Sequence, residues 1–258
     1  MRFSSLGSGS KGNATLVRAE DTLLMVDCGF SLREATRRLQ RLEVSPEELD
    51  AILVTHEHSD HCSGVAALSR RYGIPVYLSH GTAGTGRCDG SHELRCFNSE
   101  DVFDVGCLAI KAVTVPHDAA EPCQFVLAWG EQRLGILTDL GSVTPHVLEH
   151  FSRCQSLLLE FNHDLAMLYA GNYPPSLKRR VGGDWGHLNN AQAADLLRRL
   201  GGARSGHLVV AHISENNNSR QKAEEALLSV LDSLERVEWA CQAAGFDWLR
   251  VACADGEG

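Results

Sequence analysis

A chain of 258 residues, 43% of them apolar and with a net charge of −9, has enough core for one large α/β domain or two small ones, which excludes disorder. The acidic balance excludes a broadly basic surface that coats nucleic acid, so a polyanionic substrate needs a focused site. Nine scattered cysteines without a CxxC pair read as reduced thiols of a cytoplasmic protein, and no apolar run reaches the roughly 20 residues of a membrane span, so an unprocessed chain with no membrane partner is expected.

Apolar runs predict strands over 2–6, 14–19, 22–27, 51–55, 74–79, 107–115, 123–129, 133–138, 156–161, 207–212 and 247–252. Between the first two lies the glycine-rich GSGSKGN (7–13). It is either a flexible turn or an anion nest to which Ser8, Ser10 and Asn13 add donors and Lys11 adds charge. Ser31 with Glu34 reads as a capping box opening a helix to about Leu42, and Ser45-Pro46-Glu47-Glu48 repeats that signal for a short turn. Helical spacing marks 64–72, 189–200 and 219–235, and WGEQR (129–133) joins two strands as a hairpin. There is no internal repeat or linker, so residues 1–258 read as a single domain of mixed sheets with helices outside.

The strand over 51–55 runs into THEHSDH, which packs three histidines and two carboxylates into positions 56–61. His56 and His58, two apart in an extended segment, point the same way and can share one ion. Asp60 and His61 follow a bend and can face a second. Neutral imidazole suits zinc, manganese or iron, and a carboxylate can bridge two such ions. The other half of the site has to come from residues that also close apolar runs: His117 in VTVPHD, Asp139 in LGILTD and His212 in LVVAHIS. The set then divides into His56, His58 and His117 on one ion and Asp60, His61 and His212 on the other, with Asp139 bridging. Taken singly, His117 or His212 is an ordinary surface or core histidine; the ordered set points to two divalent ions, Zn2+, Mn2+ or Fe2+. Glu57 points opposite the histidine pair, and Cys62 reads as packing.

His187 in DWGHLNN is not needed as a ligand, and a histidine beside a metal site can protonate a leaving oxygen. Lys178, Arg179 and Arg180 in SLKRRV form either a solvated face or a phosphate-binding patch, and Tyr169 and Tyr173 either stack on a base or pack. Glu160, Asn162 and His163 in LEFNHD are expected in the pocket wall. Asn189 or Asn190 caps the helix that follows His187. Ser8, Ser10, Asn13, His163, Lys178 and Asn189 are the candidate substrate contacts.

MVDCG, THEHSDH, PHD, LTDLG and VAHIS, in that order, resemble the metallo-β-lactamase superfamily. The resemblance implies an αββα sandwich, two mixed β-sheets flanked by helices, with metals at one edge. It gives Asp27 the role of orienting the ligand loop by hydrogen bonds, against the alternative of capping the helix near Ser31. Aspartate at 139, where zinc β-lactamases commonly have cysteine, is typical of the phosphodiesterase and glyoxalase branches and argues against antibiotic cleavage.

FSSLGSGSKGNATLV, LLEFNHDLAML, GNYPPSLKRRV, GHLNN and HISENNN further resemble the YycJ/WalJ-type family. That likeness implies a metal-dependent 5'-to-3' exonuclease acting on DNA with a 5' end. The expected reaction is in-line attack on phosphorus by a metal-bound hydroxide, with Asp60 and Asp139 orienting the nucleophile and His187 protonating the sugar oxygen. Two other readings stay open, a glyoxalase-like thioester hydrolase and a metal-binding regulatory protein without turnover.

Overall fold

The computed structural model describes residues 1–201 and 206–253. Its strands in chain order are β1 (Arg2–Gly7), β2 (Ala14–Ala19), β3 (Thr22–Val26), β4 (Ala51–Leu53), β5 (Pro75–Ser79), β6 (Glu93–Phe97), β7 (Val102–Val105), β8 (Leu108–Thr114), β9 (Cys123–Trp129), β10 (Gln132–Leu137), β11 (Ser156–Glu160), β12 (Leu208–Ala211), β13 (Val237–Trp239) and β14 (Phe246–Arg250). They form two seven-stranded sheets, ordered β14-β1-β2-β3-β4-β5-β6 and β13-β12-β11-β10-β9-β8-β7. Each sheet is mixed: β3 to β6 run parallel in one and β10 to β13 in the other, and the remaining pairings are antiparallel.

Strand periodicity explains the layering. Along β3, Leu24 and Val26 face the space between the sheets, where they join Leu53, Phe125, Ile136 and Val209 in one core. Leu23 and Met25 face the other way and pack with Leu39, Val65 and Leu68. These last three belong to α1 (Leu32–Arg41) and, after the single turn α2 (Ser59–Cys62), to α3 (Val65–Tyr72). A residue step of two turns successive side chains to opposite faces, so both faces of each sheet are apolar and both are covered. The remaining helices are α4 (His80–Gly84), α5 (Pro145–Phe151), α6 (Leu165–Ala170), α7 (Pro175–Val181), α8 (Asn190–Arg199) and α9 (Arg220–Leu227). Leu196 and Leu197 of α8 and Ala223 of α9 cover the outer face of the second sheet against Leu157, Leu159 and Val210. The result is an αββα sandwich.

Some local expectations need correction. The helix expected over 219–235 stops at Leu227, because Ala223 and Leu227 are its only buried positions and Leu228 is 56% exposed. Only half of the first capping box forms. Ser31 accepts from Glu34 N, but the Glu34 carboxylate turns to Arg37 and Arg38 instead of back to Ser31. The box at Ser45 and Glu48 is complete. No two cysteines are joined, and no helix among the described residues is long and apolar enough to cross a membrane.

Candidate metal centre

Five strand ends deliver the polar residues to one edge of the sandwich: β4 leads to His56, β8 to His117, β10 to Asp139, β11 ends on Glu160, and β12 leads to His212. The loop after β4 is pinned by Asp27, a non-glycine residue in the left-handed region at φ +60°. Its Oδ1 accepts from Thr55 N at 2.8 Å, and its Oδ2 from Thr55 Oγ1 at 2.8 Å and His61 Nδ1 at 2.8 Å. Asp27 therefore holds the histidine loop, while Ser31 caps α1. Gly29 allows the close approach, since a Cβ there would lie 1.8 Å from Asp60 O.

His58 Nδ1 lies 3.0 Å from His56 Nε2 and 3.2 Å from His117 Nε2. Beside this trio, Asp60 Oδ2 is 3.5 Å from His61 Nε2 and 3.4 Å from His212 Nε2. Asp139 stands between the two groups, with Oδ2 3.0 Å from His61 Nε2 and Oδ1 3.8 Å from His117 Nε2. All seven side chains predicted as ligands thus meet at one place, and both trios have ligand atoms within 4.8 Å of one another.

Hydrogen bonds on the far side of the rings decide what faces inward. His61 Nδ1 donates to Asp27 and His117 Nδ1 donates to Gly186 O at 2.9 Å, so each ring turns the lone pair of Nε2 toward the carboxylates. Asp139 Oδ2 is buried with no hydrogen-bond donor among the described residues. Lone pairs and an orphaned carboxylate oxygen converging in a buried volume fit divalent cations.

The charges of the cluster are coupled: against burial, Asp139, Asp60 and Glu160 raise the pKa of His212 to about 10, and Asp139 and Asp27 raise that of His61 well above its ordinary value. His56 goes the other way, lowered by burial and by the neighbouring imidazoles. Against burial, Asp139 and Asp60 are held well below the usual carboxylate range by the histidines they face.

His187 flanks the cluster, its ring 5.2 Å from that of His117 and 5.1 Å from that of His212. Its Nδ1 is 3.1 Å from Glu160 Oε2. Glu160 is fully buried, and its Oε1 also accepts from Leu140 N at 2.7 Å and Leu188 N at 3.2 Å. A cleft of about 460 Å³ opens over the cluster, and Arg87 and Arg180 line it together with His58, Asp60, Asp139 and His187.

The expected substrate contacts fall elsewhere. Ser8 is buried, donating to Asn13 Oδ1 at 3.1 Å and accepting from His212 N at 2.9 Å. Asn13 Oδ1 also accepts from Gly9 N, and Asn13 Nδ2 lies 3.2 Å from His61 Nε2. The Ser8 and Asn13 side chains are thus engaged with the segments that carry His212 and His61 and are not free donors of an open anion nest. Ser10 is exposed outside the cleft lining, and Lys11 pairs with Glu215. Lys178 Nζ donates to Tyr169 O at 2.6 Å, leaving Arg180, paired with Asp118, as the member of that basic run in the cleft. Asn189 is spent as the N-cap of α8, in a capping box with Gln192. His163 is buried away from the cleft lining, its Nδ1 3.3 Å from Asn162 Oδ1.

Sequence reasoning missed Arg87, and it gave Glu160 a wall rather than a link. Glu160 carries the same signal as His117, Asp139 and His212, since it closes the apolar run SLLLE. No local pattern marks Arg87. Cys62 is buried with Sγ donating to Glu57 O, and Glu57 Oε1 accepts from Ala120 N at 2.8 Å.

The profile of the beta-lactamase superfamily domain matches residues 22–213. Exodeoxyribonuclease YycJ of Bacillus anthracis is 33% identical over 237 residues, covering 90% of this chain and 89% of that protein. Exodeoxyribonuclease WalJ of Streptococcus pneumoniae serotype 2 is 33% identical over 237 residues, covering 89% and 88%. Among solved structures, the metallo-beta-lactamase fold protein YhfI from Bacillus subtilis superposes with a TM-score of 0.75 at 17% identity, over 96% of this chain and 99% of that one. Human tRNase Z, short form, gives 0.68 at 17% identity, over 98% and 100%. With that fold, that histidine and aspartate cluster and those relatives, the chain belongs to the beta-lactamase superfamily as a metal-dependent hydrolase, in the group of YycJ and WalJ.

Proposed function

We propose that this protein is a dinuclear metal-dependent exonuclease that removes nucleotides from the 5' end of DNA in the cytoplasm. The observation that carries the reading is the meeting of His56, His58, His117, Asp60, His61, His212 and Asp139 at one sheet edge, in a chain 33% identical to two exodeoxyribonucleases. His56, His58 and His117 would hold one ion and Asp60, His61 and His212 the other, with Asp139 standing between the two groups. The donor set of imidazoles and carboxylates suits Zn2+, Mn2+ or Fe2+. Bound there, two such ions supply Lewis acidity at the phosphoryl oxygens and a water of lowered pKa.

The chain's own residues supply the rest. Asp60 and Asp139 present carboxylate oxygens that orient the attacking water along the line to phosphorus. Arg87 and Arg180 place positive charge in the cleft of a protein with net charge −9, which draws a phosphodiester to this spot. His187 protonates the departing sugar oxygen. Its Nδ1 donates to Glu160, which leaves Nε2 as the nitrogen that exchanges the proton.

The test is product analysis on DNA labelled at either end, with Mn2+ and with Zn2+, beside RNA and a thioester. Release of mononucleotides from the 5' end of DNA is the expected result. Hydrolysis of the thioester alone overturns the reading, and absence of turnover with every metal supports a regulatory protein instead.

A further inference from the structure

We propose a separate transition-metal site on Glu100, His146 and His150, independent of the exonuclease reading. His146 and His150 stand one turn apart on α5, so their imidazoles share a face, with ring centroids 4.5 Å apart. Glu100, from the connection between β6 and β7, reaches across to both. Its Oε1 is 2.8 Å from His146 Nε2 and its Oε2 is 3.6 Å from His150 Nε2. The three side chains offer ligand atoms within 4.8 Å of one another. Two imidazole nitrogens and a carboxylate make three positions of a tetrahedral zinc site or part of a tetragonal copper(II) site. The side chains are 25–40% exposed, which lets solvent complete the shell.

The carboxylate is held in place before any ion arrives. Thr114 N donates to Glu100 Oε1 at 2.8 Å, and Lys111 Nζ sits 3.0 Å from Oε2. The Glu100 backbone is fixed at φ +77°, a region a non-glycine residue seldom adopts. A simple ion pair between His146 and Glu100 does not require His150 to face the same carboxylate. Lys111 competes with a cation for Oε2, so removing its charge should tighten the site.

The test titrates chelator-stripped full-length protein with Zn2+ by calorimetry, counts metal per chain by native mass spectrometry, and compares wild type with H146A/H150A and E100Q. Wild type is expected to hold one more equivalent than H146A/H150A, and E100Q to weaken that equivalent alone. With the main cluster first filled with Zn2+, Cu2+ added to the wild type should give a spin-resonance spectrum with coupling to two imidazole nitrogens that H146A/H150A lacks. H150Q serves if the double variant folds poorly, with the same loss expected. Equal stoichiometry and superimposable isotherms for wild type, E100Q and H150Q would overturn the proposal, whatever the protein's activity on DNA.

Discussion

Glu160 Oε2 lies 3.1 Å from His187 Nδ1, and the same carboxylate group stands 3.5 Å from His212 Nδ1, so one buried side chain orients both a proposed proton donor and a proposed metal ligand. Carboxylates behind such imidazoles fix the tautomer and the ring angle, and their loss typically costs about 10–100-fold in activity or metal affinity. Glu160→Gln keeps the shape and removes the charge. Steady-state kinetics on DNA at saturating metal should show kcat reduced within that range and KM little altered. An unchanged kcat would separate His187 from Glu160.

Removal of the proton donor should be selective for poor leaving groups. His187→Ala is expected to lower turnover of DNA by about 10²–10⁴-fold. The same variant should act almost normally on a p-nitrophenyl phosphodiester, whose leaving group needs no proton. Metal content measured on the purified variant should match wild type, since His187 is outside both ligand trios.

Arg180 and Lys178 are two residues apart in sequence and differ in where their charges sit. Arg180 lines the cleft, while the Lys178 ammonium is tied to Tyr169 O. Arg180→Ala should raise KM for DNA and reduce the slope of log affinity against log salt by about one unit. Lys178→Ala should change neither. Fluorescence titrations of labelled DNA over a range of salt concentrations check both.

Acid should destabilise the fold through His163. Burial keeps this imidazole neutral, its pKa pushed down to about 4. The unfolded chain takes up the proton below an ordinary histidine pKa of about 6.5, and the folded protein only near 4. Between those values the unfolded state binds more protons, so stability falls as pH drops through the window and this group adds no further loss below it. The whole effect is about 3 kcal/mol. His163→Leu should flatten the dependence of urea-unfolding free energy on pH between about 6.5 and 4, whereas an equally steep curve would assign it to other groups.

The distant members of the cluster were legible because they obey one rule: a strand is a run of apolar residues, and the polar residue that follows it lies at the edge of the sheet. His117, Asp139 and His212 all follow that rule. Three strands, β6, β7 and β13, escaped notice because they bury too few side chains to stand out, and β7 has one buried residue in four. In β6 four of five residues are exposed, and β13 has no fully buried position. Helices α5 to α7 have six or seven residues each, too short for a helical period to emerge. The 7–13 loop stays open between a turn and an anion nest for a different reason. Small polar residues look alike in sequence whether their donors face solvent or, as with Ser8 and Asn13, the backs of His212 and His61. Arg87 reaches the cleft only through the packing of distant segments.

The central claim, that paired cations held by the seven-residue cluster drive phosphodiester hydrolysis, is tested most directly by stripping the protein with a chelator, verifying metal loss by mass spectrometry, and assaying 5'-phosphorylated DNA before and after adding back Mn2+ or Zn2+. The account predicts that nucleotide release stops on removal and returns as two equivalents bind to the cluster. Undiminished release from verified metal-free protein would contradict it.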